Sequence, residues 1–282
     1  MFNGGFHHLG SVLYVPADRP RALDKLNTLA CGAAIIDLED AVAPAAKNEA
    51  RQIAAAFLAG PRPAFPLVLR LNAASTDWGN QDRAMLENLA ADARPDAVLL
   101  PKVESAADIE QAAATGLPLW AMIESPRALL ALPSIAAAAP GQLAAFVVGT
   151  NDLAKDTGTS MGEERRFMLP WLMGIIAAAR AFDLACYDGV FNSLEADAAF
   201  EAECAQGRAM GFDGKTLVHP AQIDAANRAF APTLDEIAHA KAIIEAFSRP
   251  ENAERGAIRL GTQMVERLHL AAAERLLNRL KV

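Results

Sequence analysis

Short apolar runs rich in Val, Ile and Leu alternate along this chain with longer Ala, Leu, Glu and Arg segments whose apolar positions recur at helical spacing. Such alternation marks repeated βα units around a parallel sheet, because a strand covered on both faces has no solvent side to make polar. Eight strands are predicted: Ser11–Val15, Ala33–Leu38, Leu67–Leu71, Ala97–Lys102, Leu117–Glu124, Ala144–Gly149, Ala185–Val190 and Gly214–Val218, each followed by a segment able to form a helix. Eight units favour a closed (β/α)8 TIM barrel over an open sheet. Ser105, Ser193 and Thr233 each precede acids in a helical first turn and are predicted as N-caps. The pattern breaks over Pro250–Gly256, after which Met264 to Leu280 reads as an amphipathic helix. The predicted organisation is a barrel domain over 1–249 and a C-terminal helical extension over 250–282.

A chain of 282 residues, 52% of them hydrophobic, is long enough for such a core. Its formal net charge of -8 argues against nucleic acid or an anionic membrane as partner, since phosphate binding needs clustered Lys and Arg. An anionic substrate therefore requires local positive charge or a metal. Cys31, Cys186 and Cys204 are odd in number and lack Cys-x-x-Cys spacing, which points away from a disulfide framework and from a zinc cluster. The opening residues, Met1 to His8, carry no basic segment followed by an apolar stretch, and no apolar run reaches membrane-spanning length, so a cytoplasmic protein is expected.

Catalytic groups of a barrel sit at the carboxyl ends of its strands. Polar residues interrupt several of those ends here: Asp37, Glu39 and Asp40 after the second strand, Arg70 and Asn72 on the third, Lys102 after the fourth, Glu124 after the fifth and Asp152 after the sixth. Glu124 and Asp152 come from neighbouring units and can face one point, which suits Mg²⁺, a cation held by one or two carboxylates with substrate and water filling its octahedron. Each also has a plainer reading, Glu124 as a helix cap or a partner of Arg127, and Asp152 as a cap. Arg70 on an apolar strand needs an anionic partner, either Asp37, Glu39 or Asp40 or a substrate carboxylate or enolate. Lys102 invites a Schiff-base mechanism, against the commoner role of pairing with nearby carboxylates. His219 reads as a proton carrier or a backbone-bonded loop residue, and Asp188 as a mouth acid or a lysine partner. Gly149-Thr150-Asn151 and Gly211-Phe212-Asp213-Gly214 lack the spacing of a phosphate-binding glycine loop.

Seven ordered strings carry a family resemblance: Ser11 to Pro16, Asp37 to Val42 followed by Lys47 and Arg51, Arg70-Leu71-Asn72, Leu100 to Ser105, Ile123-Glu124-Ser125, Gly149 to Leu153, and Gly214 to Gln222. With them the chain resembles the citrate lyase beta-subunit-like group of the HpcH/HpaI aldolase family over almost its whole length. The resemblance implies a (β/α)8 barrel, Mg²⁺ held by Glu124 and Asp152, and a substrate-binding arginine at Arg70. It also implies carbon–carbon cleavage or condensation of a β-hydroxyacyl thioester such as citryl-, malyl- or citramalyl-CoA, giving acetyl-CoA and a 2-oxo acid, with thioester hydrolysis in some members. The partner is then an acyl-CoA or acyl carrier thioester together with a 2-oxo acid. Trimeric assembly is implied, with the extension at a subunit interface and a site completed by the neighbouring subunit.

Two positions depart from the family pattern. Gly10 stands where relatives carry Arg, and Glu266 stands where relatives place an Asp that acts across the subunit boundary. The mechanism expected on these grounds has Arg70, Glu124, Asp37 and Lys102 binding substrate, Glu124 and Asp152 holding Mg²⁺, and Glu39, Asp40 or Glu266 moving the proton while Arg70 shares the enolate charge. A thioester-free 2-oxo acid aldolase, a Lys102 Schiff-base aldolase and a catalytically silent metabolite-binding subunit are the competing readings.

Overall fold

The computed structural model describes residues 5–252 and 254–279; the first four residues and Leu280, where the predicted last helix ends, lie outside the described residues. All eight predicted strands form: β1 Gly10–Pro16, β2 Ala33–Asp37, β3 Leu67–Arg70, β4 Ala97–Leu100, β5 Leu119–Ile123, β6 Leu143–Val148, β7 Ala185–Asp188 and β8 Gly214–Leu217. Each pairs in parallel with the next, and β8 pairs with β1, so the sheet closes into a barrel. Several strands end earlier than predicted: Lys102 and Glu124 lie in the turns beyond β4 and β5 rather than on them.

Alternate residues point into the barrel and onto the helices. Val12, Ile35, Val68, Leu99, Trp120, Val147 and Tyr187 fill the interior, while Leu13, Ile36, Leu69, Val98, Phe146 and Cys186 pack under the helical ring. The same parity carries Tyr14, Asp37, Arg70, Met122 and Glu124 to the inner face at the carboxyl end, as the next inward positions of their strands. Asp188 has the opposite parity, so it meets Arg165 at 2.7 Å and Lys215 at 3.1 Å outside the barrel and takes no part in the mouth. Those two cations outweigh the effect of burial and hold the Asp188 carboxyl below its usual range.

Gly10 opens β1 at the amino end, opposite the mouth. Its φ of +69° and the close approach of Asn227 to any Cβ built there favour glycine. Gly10 therefore lies away from the mouth, in a backbone conformation that a side chain would strain.

Two predicted helix starts stand. Ser105 and Asp108 form a reciprocal capping box on the helix Ala106–Ala112, and Thr233 and Glu236 form another on Leu234–Ser248. Ser193 does not cap a helix. The chain runs on through a loop, and Asp197 caps Ala198–Met210 instead.

The boundary predicted at 249 lies at 230. Residues 1–230 are one compact unit and 231–282 a second. The helix Ile223–Phe230 packs on β1 and β8 as the last helix of the barrel. The helix Leu234–Ser248 contributes Ile243 and Phe247 to a separate core with Ile258 and Val265. Met264 to Glu266, predicted as the start of a helix, form part of an antiparallel hairpin of β9 Ala257–Leu260 and β10 Gln263–Glu266, and the helix runs from Arg267 to Arg279. Gly261, at φ +59°, supplies the turn. Among the described residues no helix is long and apolar enough to cross a membrane.

Candidate active site

Arg70 occupies the centre of the mouth. Its Nε and Nη2 donate to the two oxygens of Asp37 at 2.7 and 2.6 Å, a fork-on-fork pair, and its Nη1 lies 2.8 Å from Glu39 Oε2. The guanidinium carbon sits 4.9 Å from the centre of the Tyr14 ring, and Met122 Sδ lies 3.6 Å from Nη1. Burial works against the arginine's charge, but the paired Asp37 carboxylate and the Glu39 charge outweigh it and hold the proton more firmly than usual. Burial likewise keeps the Tyr14 phenol protonated, against the pull of Arg70. A fixed guanidinium at the end of an apolar barrel is a ready anion receptor.

Asp37, expected among the substrate contacts, is fully buried. Besides Arg70 it accepts from the amides of Glu39 at 2.8 Å and Ala41 at 3.3 Å. Its oxygens are therefore committed to orienting Arg70 and shaping the loop after β2. Lys47, buried beneath that loop, donates to the carbonyls of Leu38 and Glu39, both at 2.7 Å. Asn72 joins the same scaffold, donating to Leu38 O at 2.9 Å and to Asp82, which in turn holds Arg51 at 2.7 Å. The motif residues Lys47, Arg51 and Asn72 hold the loop that presents Glu39.

Glu39 is 6% exposed, and burial pushes its carboxyl up to about 7, with Asp40 and Glu124 adding to the rise and Arg70 and Lys102 opposing it. A carboxyl poised near neutrality suits proton transfer in either direction. Asp40, one residue on, is exposed.

The plainer readings of Glu124 and Asp152 do not hold. Ser125 caps the helix Pro126–Ala137 by accepting from Ala128 N, and Arg127 approaches Glu104 at 3.8 Å rather than Glu124. The helix Thr150–Thr157 begins at Gly149 without a side-chain cap. Both acids instead converge on the ammonium of Lys102, which bonds Asp152 Oδ2 and lies 3.3 Å from Glu124 Oε1. The Lys102 backbone amide also donates to Glu124 Oε1 at 2.7 Å, from a left-handed conformation with φ 54° that is uncommon outside glycine. Gly149 makes room for this: a Cβ there would stand 2.7 Å from Glu124 Oε2.

Burial raises the Glu124 carboxyl despite the opposing pull of Lys102. Burial lowers Lys102, but its bond to Asp152 and the charges of Glu124 and Glu39 more than compensate and keep it an ammonium. A Schiff-base lysine needs the reverse, a depressed pKa and a free amine.

The ammonium of Lys102 marks the point where one positive charge is shared by two carboxylates from adjacent units. An all-oxygen donor pair, one member buried and one partly open to solvent, fits a hard divalent cation. His219 stays outside this cluster: its Nδ1 accepts from Ala221 N at 3.2 Å, capping the short turn Pro220–Gln222. Glu266 ends β10 in the second unit, where its backbone amide donates to His269 Nδ1 at 2.9 Å.

Sequence reasoning passed over Tyr14, Met122 and Asp82. The signal for the first two was strand parity, since both fall on the inward positions just below the mouth.

Residues 10–220 match the family model of HpcH/HpaI aldolase/citrate lyase. A (3S)-malyl-CoA thioesterase of Cereibacter sphaeroides is 44% identical over 275 residues, covering 96% of this chain and 94% of the relative. The citrate lyase subunit beta of Haemophilus influenzae is 31% identical over 285 residues, covering 96% of each. Among solved structures, the protein CitE of Mycobacterium tuberculosis in complex with magnesium, acetoacetate and coenzyme A superposes with a TM-score of 0.81 at 30% identity, covering 98% of each chain. The citrate lyase beta subunit of the same organism, complexed with oxaloacetate and magnesium, gives a TM-score of 0.71 at 30% identity over 82% of this chain and all of that one.

Proposed function

The chain belongs to the HpcH/HpaI aldolase/citrate lyase family, and from that premise we propose that it is a magnesium-dependent lyase acting on a short β-hydroxyacyl-CoA thioester of the malyl or citramalyl type. The observation that carries this reading is the meeting of Glu124 and Asp152 on one positive charge, beside a guanidinium fixed by Asp37. Glu124 and Asp152 would hold Mg²⁺, with Lys102 withdrawing to become a substrate contact. When bound there the ion supplies Lewis-acid chemistry to a chelating oxygen pair.

The chain's own residues do the rest. Arg70 binds the carboxylate end of the substrate and shares the negative charge that develops when the carbon–carbon bond breaks. Glu39, near neutrality, takes the hydroxyl proton during cleavage and returns it in condensation. Glu266 from a neighbouring subunit protonates the departing acetyl-thioester enolate, in a homotrimer or a multiple of it. Asp40, exposed on the same loop, stays peripheral to these transfers. A cytoplasmic location and a CoA rather than carrier-protein thioester fit this chemistry.

Hydrolysis is the second reading, favoured by the 44% identity to a (3S)-malyl-CoA thioesterase. There water adds to the thioester carbonyl and the C–S bond breaks, so free thiol and hydroxy acid appear. Incubating the protein with Mg²⁺ and malyl- or citramalyl-CoA distinguishes the two by product: acetyl-CoA with a 2-oxo acid marks the lyase, free CoA with the hydroxy acid the hydrolase. Asp152→Ala should abolish Mg²⁺-dependent turnover while circular dichroism stays unchanged. Full activity in that variant, or in chelator, would remove the metal assignment.

A further inference from the structure

At the end of the barrel opposite the mouth, His7 and His8 meet Asp213. Each of the three offers one ligand atom within 4.8 Å of the others. The Nδ1 of His8 lies 3.0 Å from Asp213 Oδ1 and that of His7 3.8 Å. Asp213 is 1% exposed and divides its work: Oδ2 accepts from Arg180 and from the Cys186 amide, both at 2.8 Å. Oδ1 is buried and faces the two imidazoles, and although burial acts to raise the Asp213 carboxyl, those imidazoles and Arg180 outweigh it and hold the carboxyl well below its usual range.

Two features hold the histidines in place. Adjacent side chains on an extended backbone point to opposite sides, yet His8 takes φ 62°, and this turn sends both imidazoles toward the same oxygen. The flanks are anchored. Phe6 is buried with its ring edge-on to Trp120 at 5.4 Å, its carbonyl accepts from the Tyr187 hydroxyl, and Gly10 N donates to Asp213 O at 3.2 Å. The strain at His8 is thus maintained by packing on both sides.

We propose that His7, His8 and Asp213 form a second cation site, at the barrel base, which takes a borderline transition metal such as Zn²⁺ through two imidazole nitrogens and one carboxylate oxygen. Bonds of about 2.0–2.2 Å in a tetrahedron set neighbouring ligand atoms roughly 3.3–3.5 Å apart. The observed 3.0 and 3.8 Å bracket that spacing, so small side-chain rotations suffice. Two nitrogen donors separate this site from the all-oxygen pair at the mouth, where Mg²⁺ is preferred. Water completes the tetrahedron, because both imidazoles are partly exposed. The metal would staple the segment that plugs the barrel base to the entry of β8.

The test is equilibrium dialysis of the full chain against Zn²⁺ with Mg²⁺ in excess to occupy the mouth, comparing wild type, His7→Ala/His8→Ala and the milder His8→Gln. Wild type should retain one zinc equivalent more than the double variant, and zinc should raise the thermal midpoint of wild type alone. Equal zinc content in wild type and both variants, or no zinc retained by wild type, overturns the proposal. Circular dichroism and thioester turnover of the variants in Mg²⁺ report whether they fold, and His8→Gln keeps the comparison valid if the double variant does not.

Discussion

At the scale of single residues the mouth is a set of charges held against their own solvation. Glu39 shows the cost most directly, because its carboxyl titrates near 7 in the fold against an ordinary value of 4.5. Its raised pKa means that the folded chain binds the proton more tightly than the unfolded one. Its contribution to stability is therefore fully present below about pH 4.5 and is lost as pH rises through about 7. In metal-free buffer, wild type should lose stability relative to Glu39→Gln over that interval, by at most about 3 kcal/mol. Urea unfolding of the two proteins at a series of pH values measures this, and a difference that stays flat across the interval would contradict the assignment. The sequence alone marked Glu39 as a candidate by its place after β2. It could not show that Arg70 reaches back 33 residues to Asp37, or that the Lys47 side chain is buried and turned onto the carbonyls of Leu38 and Glu39 rather than toward solvent.

At the scale of elements, the strand ends were legible because a strand buried on both faces leaves only its last positions for polar side chains. Arg70 and Asp37 followed from that rule, and parity placed them beside Tyr14 and Met122. What short-range pattern did not reveal was backbone conformation. Lys102 turns left-handed so that its amide and ammonium both reach Glu124, and nothing in Leu100-Pro101-Lys102 announces it. Ser193 followed by Leu194 and Glu195 looks like a cap, but the loop continues to Asp197. The hairpin at 257–266 was hidden because its strands are four residues each and Val265 with Leu268 also fits a helical stripe. Gly149 offers an elementary test of how closely β6 serves Glu124. Gly149→Ala places a methyl group against the Glu124 carboxylate, so Mg²⁺-dependent turnover should fall on the order of 100-fold. Initial rates and a thermal melt measured together decide the matter. Wild-type rates in this variant would mean that the Glu124 position is not critical.

At the scale of the whole molecule, the carboxylate pair Glu124 and Asp152, the Arg70 guanidinium and Glu39, the first of the two proposed proton carriers, all lie within residues 1–230. The second proton carrier proposed, Glu266, belongs to the compact unit 231–282, whose own core of Ile243, Phe247, Ile258 and Val265 fixes the hairpin that ends at that residue. In the proposed assembly Glu266 serves the mouth of a neighbouring subunit. That arrangement makes a sharp prediction about mixtures. Asp152→Ala and Glu266→Ala are each expected to be inactive alone, the first through its mouth and the second through the residue it lends. Unfolded together in equal amounts and reassembled, they should regain activity, because an intact mouth from one chain then meets an intact Glu266 from another at about a quarter of the sites of a closed ring. Activity rising with the product of the two subunit fractions supports a shared site. Reassembled mixtures as inactive as either parent, with oligomers of native size, would place both groups in one subunit's own service and leave the trans proposal without support.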